Sequence, residues 1–450
     1  MKGQRSVFVC SSCGFQSPRW YGKCPECGEW NTMVQVEAEA VEGSRQGEGA
    51  MAVPFAALPE SLVSRFSSGF EEFDRVLGGG FVPGSLVLLG GEPGVGKSTL
   101  LLKSADMVSG SGRKVLYTSG EESQSQVAMR SRRLGVKNPN LFFLGSQNVD
   151  SIIEAARKVE PCLVIVDSIQ TAEDPSLPSL PGTPVQIRAC AAKLLGFAKE
   201  NDVTVVLVGH TVKTGEIAGP RLLEHLVDTV LYFEGEKANL HRIIRAQKNR
   251  FGPTYEVCVF RMEEEGLEEV KNPSQEFLSE RSPENPGSCV SVCLTGTQPI
   301  CVEVEALVVP SVYGAPRRIC TELDQNRVSL VLAVLSRNVA AGLEARDAFL
   351  KIPGGFRVSE PAVDLACAVA LVSSYRQVPV ADDLVVIGEL GLSGEVRMVP
   401  RLEDRVKEAL RMGFSRALVP ERFVRGLSQK NLIGVRTVEE AVRYALRNHG

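Results

Sequence analysis

The sequence contains no run of about 18 uncharged apolar residues, so nothing in it reads as a helix able to span a bilayer. Its opening residues, MKGQRSVFVC, are basic but lack the apolar run of about 7 to 15 residues and the small-residue cleavage site of a secretory signal. A cytoplasmic protein with no membrane partner is therefore expected. Positive charge is not in excess either: 50 Lys and Arg stand against 54 Asp and Glu, a net charge of −4. That balance excludes a global electrostatic footprint for nucleic acid and confines any DNA contact to a local surface such as a channel lining. Disulfides are not called for. Of 12 cysteines, eight are scattered from Cys162 to Cys367, several inside apolar runs such as SCVSVCL and DLACAVAL, and read as reduced core residues.

What is present suits a chain of several domains. A length of 450 residues exceeds a single core, and 44% hydrophobic with 23% charged residues is ordinary for a globular protein. The first landmark is a pair of CxxC motifs, Cys10-Ser-Ser-Cys13 and Cys24-Pro-Glu-Cys27, with ten residues between them. Two tight turns at that spacing bring four thiolates around one tetrahedral ion, and Gly14 and Gly28 follow the pairs as such turns favour. A structural Zn2+ is expected, since four cysteine ligands leave no open position for a catalytic water. Arg19, Trp20, Tyr21 and Lys23 lie between the pairs and suit nucleic acid, a protein partner or packing of the module equally. Residues 1–32 read as the zinc module, and 33–60, polar and glycine-rich, as a flexible linker.

Chemistry concentrates in residues 61–270. SLVLLG reads as a buried strand, followed by a phosphate loop, Gly91, Glu92, Pro93, Gly94, Val95, Gly96, Lys97, Ser98 and Thr99, and then by the helix TLLLKSADMV. The glycines free backbone amides to wrap phosphates, Lys97 neutralises terminal oxygens, Ser98 can ligate Mg2+, and the helix N-terminus adds its positive end; ATP is the expected ligand. PCLVIVDSI ends a strand in Asp167, a carboxylate placed for the magnesium shell. KVLYTSGEES delivers Glu121 and Glu122, either of which could polarise a water or simply favour a helix N-terminus. VTVVLVGH ends in His210, a phosphate sensor or a surface histidine.

These elements resemble the RecA superfamily. Within it, the GGG-x-x-PGS run at 78–85, the KNRFG run at 248–252 and the CxxC-x10-CxxC module together resemble the bacterial RadA (Sms) family, over nearly the whole chain. The resemblance implies ATP-driven branch migration of recombination intermediates on single-stranded or branched DNA by a homo-oligomeric ring, a hexamer, working alongside the recombinase RecA. It makes Lys248 and Arg250 candidates for a cation reaching a neighbour's phosphate or for DNA contact, where the residues alone would read as an exposed basic turn. DNA contact is also expected of Lys213 and Arg221 in the glycine-rich segment after His210.

A polar, three-proline stretch at 271–286 reads as a second linker, and 287–450 as a separate α+β fold with a hairpin through LVVIGELGLSGEVRMV. That region resembles the proteolytic domain of Lon. Where Lon carries its serine nucleophile this chain has Ala362, and where it carries the lysine base this chain has Glu403, so peptidase chemistry is not expected. The retained fold would close the ring or offer DNA a platform through Arg317, Arg318, Arg337 and Arg346. The fold class is thus α/β: a RecA-like P-loop ATPase core with a small zinc module before it and a non-proteolytic, Lon-like α+β domain after it. A replicative helicase and an ATP-switched regulatory hub of the same superfamily remain the alternatives.

Overall fold

A computed structural model of the chain describes residues 6–10, 16–26, 28–37, 64–210, 220–235, 240–311, 316–355, 357–425 and 431–446. It forms two compact units. The first comprises Met1–Glu234, Ile244–Thr254 and Met262–Glu268, and the second Gly235–Ile243, Tyr255–Arg261 and Glu269–Gly450.

At the front, β1 (Ser6–Cys10) pairs antiparallel with β2 (Gln16–Ser17) on one side and β3 (Met33–Glu37) on the other. The expected linker therefore begins later than residue 33. MVQVE alternates apolar and polar side chains, and it is taken up by β1 with Met33 opposite Cys10.

The nucleotide-binding portion runs α1 (Glu71–Leu77), β4 (Leu86–Gly91), α2 (Lys97–Gly110), β5 (Val115–Ser119), α3 (Gln124–Arg133), β6 (Leu141–Gly145), α4 (Val149–Val159), β7 (Leu163–Asp167), α5 (Pro184–Asn201), β8 (Thr204–His210), α6 (Pro220–Leu223) and β9 (Thr229–Glu234). The strands lie parallel in the order β6-β5-β7-β8-β4-β9. Strands β4, β5 and β7 are buried along their whole length, as their unbroken apolar sequences require of a sheet covered on both faces. Leu86, Leu88, Val164, Val205 and Leu207 pack with Ile152 of α4 and Ile187 and Leu194 of α5. The helices begin on side-chain caps: Asn148 accepts from the amides of Asp150 and Ser151, and Ser123 and Gln126 form a reciprocal capping box at α3. Parallel register aligns the strand ends, with Gly91 opposite His210 and Ser119 opposite Asp167. Four loops thus leave the same edge of the sheet, the usual place for a ligand in such folds.

Next come β10 (His241–Asn249), β11 (Val257–Glu263), β12 (Gly266–Glu269) and α7 (Pro273–Leu278). The last falls inside the stretch expected to be a linker. The first of its prolines opens a helix instead of breaking one: Pro273 is the first helical residue, Asn272 caps the Gln275 amide, and Phe277 is buried.

In the second unit, β13 (Ser288–Thr295) and β14 (Gln298–Pro310) form a long hairpin. Then follow β15 (Arg318–Thr321), α8 (Gln325–Asn338), β16 (Arg346–Lys351), α9 (Asp364–Arg376), β17 (Leu384–Val386), β18 (Glu389–Leu390), β19 (Val396–Arg397), α10 (Leu402–Arg411), β20 (Arg416–Pro420), α11 (Glu421–Val424), β21 (Leu432–Val435) and α12 (Val438–Ala445). The main sheet has the order β15-β16-β14-β13-β17-β20-β21. Both its faces are apolar: along β13, Cys289 and Cys293 join the core around α9, while Val290 and Val292 join the core around α10. The expected hairpin is confined to β18 and β19, because Leu384–Val386 pairs with β13 and β20 in the main sheet.

Candidate functional site

One cavity of about 290 Å³ gathers Pro93, Gly94, Gly96, Lys97, Ser98, Thr99, Ser119, Glu121, Glu122, Arg130, Asp167 and His210. Four sequence segments expected to cooperate do so here: the phosphate loop after β4, the acidic turn after β5, and the ends of β7 and β8. The phosphate loop demands its glycines. Gly94 and Gly96 have φ of +82° and +117°, and a Cβ on Gly91 would lie 2.4 Å from the Phe233 carbonyl oxygen. Gly96 leads directly into α2, whose first turn carries no acidic residue to oppose an anion.

Lys97 is 4% exposed, and its ammonium donates to the carbonyls of Gly91 at 2.8 Å and Glu92 at 2.9 Å, with His210 Nδ1 at 3.3 Å. Burial pulls its pKa down to about 8, against the opposing pull of Asp167, Glu121 and Glu92. His210 Nε2 lies 3.1 Å from Glu121 Oε1, which also receives the Ser168 hydroxyl. The His210 hydrogen bond, more than any other contact, holds the Glu121 carboxyl below its ordinary value, and so ionised. Glu122 is ion-paired to Arg130 of α3 instead. The two adjacent glutamates, equivalent in sequence, are thereby distinguished: one charge is neutralised by a guanidinium, and the other stays beside the lysine and histidine.

Asp167 sits at the end of β7, 5% exposed, and Oδ2 accepts the phenol of Tyr117 at 2.5 Å. Ser98 and Asp167 both line the cavity and carry hard oxygens of the kind that would suit Mg2+. Tyr117, Ser119, Arg130 and Ser168 were not singled out in sequence. Their participation depends on β5 and β7 being adjacent, which no local pattern states.

Lys248 and Arg250 do not line this cavity. The Lys248 ammonium donates to the carbonyls of Glu224 at 2.7 Å and Val227 at 2.8 Å, closing the turn after α6, and partial burial lowers its pKa. Arg250 is about half exposed, 3.5 Å from Asp228. Between them, buried Asn249 donates to the Val76 carbonyl and accepts from the Phe251 amide. The glycine of the run meets the triple glycine: a Cβ on Gly252 would lie 2.6 Å from the Cα of Gly78. The two signature runs are thus a single packed structure. Lys213 lies outside the described residues, and of Arg221 only its place in α6 is described.

In the front module Cys10 and Cys24 are buried, and among the described residues they cluster with Met33 and Phe8. A cysteine from each CxxC pair, buried together in that cluster, fits a metal-stapled module. Cys13 and Cys27, the other two expected ligands, lie outside the described residues.

In the second unit Ala362 is 1% exposed in the turn before α9, and Glu403 is exposed on α10, paired with Lys407. Arg405, fully buried, forms a two-pronged pair with Glu360, both contacts at 2.6 Å, and donates to the Val292 and Pro400 carbonyls. Arg317 and Arg337 are exposed, and Arg346 lies over the Tyr375 ring at 5.7 Å.

Among known families, residues 8–35 match a rubredoxin metal binding domain, 53–216 an AAA domain, and 350–422 the ChlI subunit of Mg-chelatase. The chain is 47% identical to the DNA repair protein RadA of Bacillus subtilis (strain 168), over 99% of this chain and 100% of that protein. It is 46% identical to those of Halalkalibacterium halodurans and Listeria monocytogenes serovar 1/2a, in each case over 99% of this chain and at least 99% of the relative.

Proposed function

Because the chain belongs to the family of DNA repair protein RadA, we propose that it is a DNA-dependent ATPase that branch-migrates recombination intermediates as a hexameric ring on single-stranded or branched DNA. The observation that carries this reading is the convergence of the phosphate loop, Asp167, Glu121 and His210 on one cavity.

In this reading the phosphate-loop amides and the start of α2 bind the nucleotide phosphates. Lys97 exchanges the Gly91 and Glu92 carbonyls for phosphate oxygens. Ser98 and Asp167 hold Mg2+, whose charge offsets that of the terminal phosphates. Glu121 is the group that orients the attacking water, since Glu122 is committed to Arg130. His210, bonded to both Lys97 and Glu121 and ending β8, senses the terminal phosphate and passes its presence to the segment that begins at residue 211. Lys248 shapes the turn that follows that segment, and Arg250 is the cation extended toward a neighbouring subunit or DNA, with Lys213 and Arg221 as further DNA contacts. A recombinase of the RecA type is the expected partner. The second unit scaffolds the ring without peptidase activity: Ala362 offers only a buried methyl group, and the neighbouring Glu360 is tied to Arg405.

The test is ATP hydrolysis by the purified protein with and without single-stranded DNA, beside Lys97→Ala and Lys248→Ala. Stimulation by DNA that both substitutions abolish supports the motor. Turnover indifferent to DNA moves the reading to an ATP-switched regulatory hub, and casein degradation would restore the peptidase.

A further inference from the structure

The side chain of Tyr117 has no role in the chemistry described above, yet its phenol ends on the carboxylate that faces the nucleotide cavity. Tyr117 is the middle residue of β5, opposite Ile165 of β7 and two residues before the Ser119–Asp167 pair in the same ladder. It is 1% exposed, so its ring is a core residue that phenylalanine would fill equally well. The hydroxyl is the part that core packing does not require. A buried phenol left without an acceptor is costly, and here the acceptor is Asp167 Oδ2 at 2.5 Å.

A carboxylate at a strand end can rotate about its last torsion, which has broad, roughly two-fold preferences. A metal's water shell requires one defined orientation. Holding Oδ2 by a hydrogen bond from a rigid core residue removes that freedom. Such outer partners orient metal ligands and tune their affinity, with losses of about 10- to 100-fold on removal.

We infer that Tyr117 is a positioning residue for magnesium: its phenol fixes the orientation of the Asp167 carboxylate that receives the metal of the bound nucleotide. The inference rests on the cavity being a magnesium-nucleotide site, and its test separates the two.

The experiment is equilibrium binding of a fluorescent (mant) ADP to the full chain as Mg2+ is titrated, for wild type, Tyr117→Phe, Asp167→Asn and the double variant. Wild type should bind more tightly as Mg2+ rises. In Tyr117→Phe the half-saturating Mg2+ concentration should rise about 10-fold or more, while the circular dichroism spectrum and melting temperature stay close to wild type. In the Asp167→Asn background the same substitution should change nothing further. Superimposable magnesium curves for wild type and Tyr117→Phe, or an undiminished effect of Tyr117→Phe on Asp167→Asn, overturn the inference. Wild-type binding that ignores Mg2+ overturns the reading of the cavity itself.

Discussion

Lys97 and His210 meet across the nucleotide cavity, with the ammonium 3.3 Å from Nδ1. An ammonium can only donate, so Nδ1 accepts, and the ring proton sits on Nε2, facing Glu121 Oε1 at 3.1 Å. The histidine therefore joins the lysine to the Glu121 carboxylate, and in the proposed cycle a phosphate that draws Lys97 away would break one end of that chain. His210→Ala should lower kcat for ATP about 100-fold, the low end for groups that assist proton movement, with a much smaller change in KM. Lys97→Ala should instead abolish nucleotide binding. Steady-state kinetics with isothermal titration of ADP distinguishes the two, and equal losses in KM and kcat for His210→Ala would remove it from the signalling role.

The glycine contact between the signature runs predicts a steric penalty. Gly252→Ala places a methyl group 2.6 Å from the Cα of Gly78 and 3.2 Å from the buried Asn249 amide nitrogen, and should cost about 1–3 kcal/mol. Gly196→Ala in α5 has nothing within 4 Å and should stabilise by about 0.5–1 kcal/mol. Calorimetry of the two variants in parallel gives shifts of opposite sign if the close approach is real.

Arg405 is fully buried while its partner Glu360 is 23% exposed, so its removal leaves a partly solvated carboxylate without its guanidinium and the Val292 and Pro400 carbonyls without their donor. Arg405→Met should destabilise the second unit by about 1–3 kcal/mol. Adding Glu360→Gln should recover a substantial part, as read from urea midpoints. A single variant as stable as wild type would mean that the pair contributes nothing.

Asp364 gives a pH dependence with a defined sign. Burial pushes its pKa up to about 6, against the pull of Arg327 at 2.7 Å. The folded state then keeps this proton at pH values where the unfolded chain, near 3.8, has lost it. Stability should fall as pH rises from about 4 to 6 and level off above, by up to about 3 kcal/mol for a two-unit shift. The difference in melting temperature between wild type and Asp364→Asn should widen over that window and stay constant beyond it.

Both tryptophans of the chain, Trp20 and Trp30, belong to the front module, where the indole of Trp20 donates to the Met33 carbonyl at 3.1 Å and Lys23 lies over Trp30. Intrinsic tryptophan emission therefore reports on that module alone. A zinc chelator or Cys24→Ser should release one zinc per chain, measured by elemental analysis, and shift the emission to the red. Full emission retained at zero zinc would rule out the metal staple.

The phosphate loop could be read directly from sequence because its chemistry is local: glycines, lysine and serine must be adjacent to wrap one phosphate. Asp167 and His210 were legible because a strand's last residue has a known edge to face. Tyr117 and Arg130 were not, since β5 becomes a neighbour of β7 only through a crossover, and nothing in VLYTS says which carboxylate its tyrosine meets. Proline misled at 271–286, where Pro273 opens α7, and MVQVE was too short and too polar to announce β3. In KNRFG the sequence suggested an exposed cation, whereas Lys248 is occupied by carbonyls and Asn249 is the buried member.

The contact between Asn249 and the Val76 carbonyl spans 173 residues of chain. During synthesis at about 5–20 residues per second, Val76 leaves the ribosome roughly 10 to 35 s before the asparagine that will meet it. Throughout that interval the triple glycine has no Gly252 to lie against. A nascent chain halted after β9 holds every group of the nucleotide cavity, and its α1 end still awaits the last five residues of the signature.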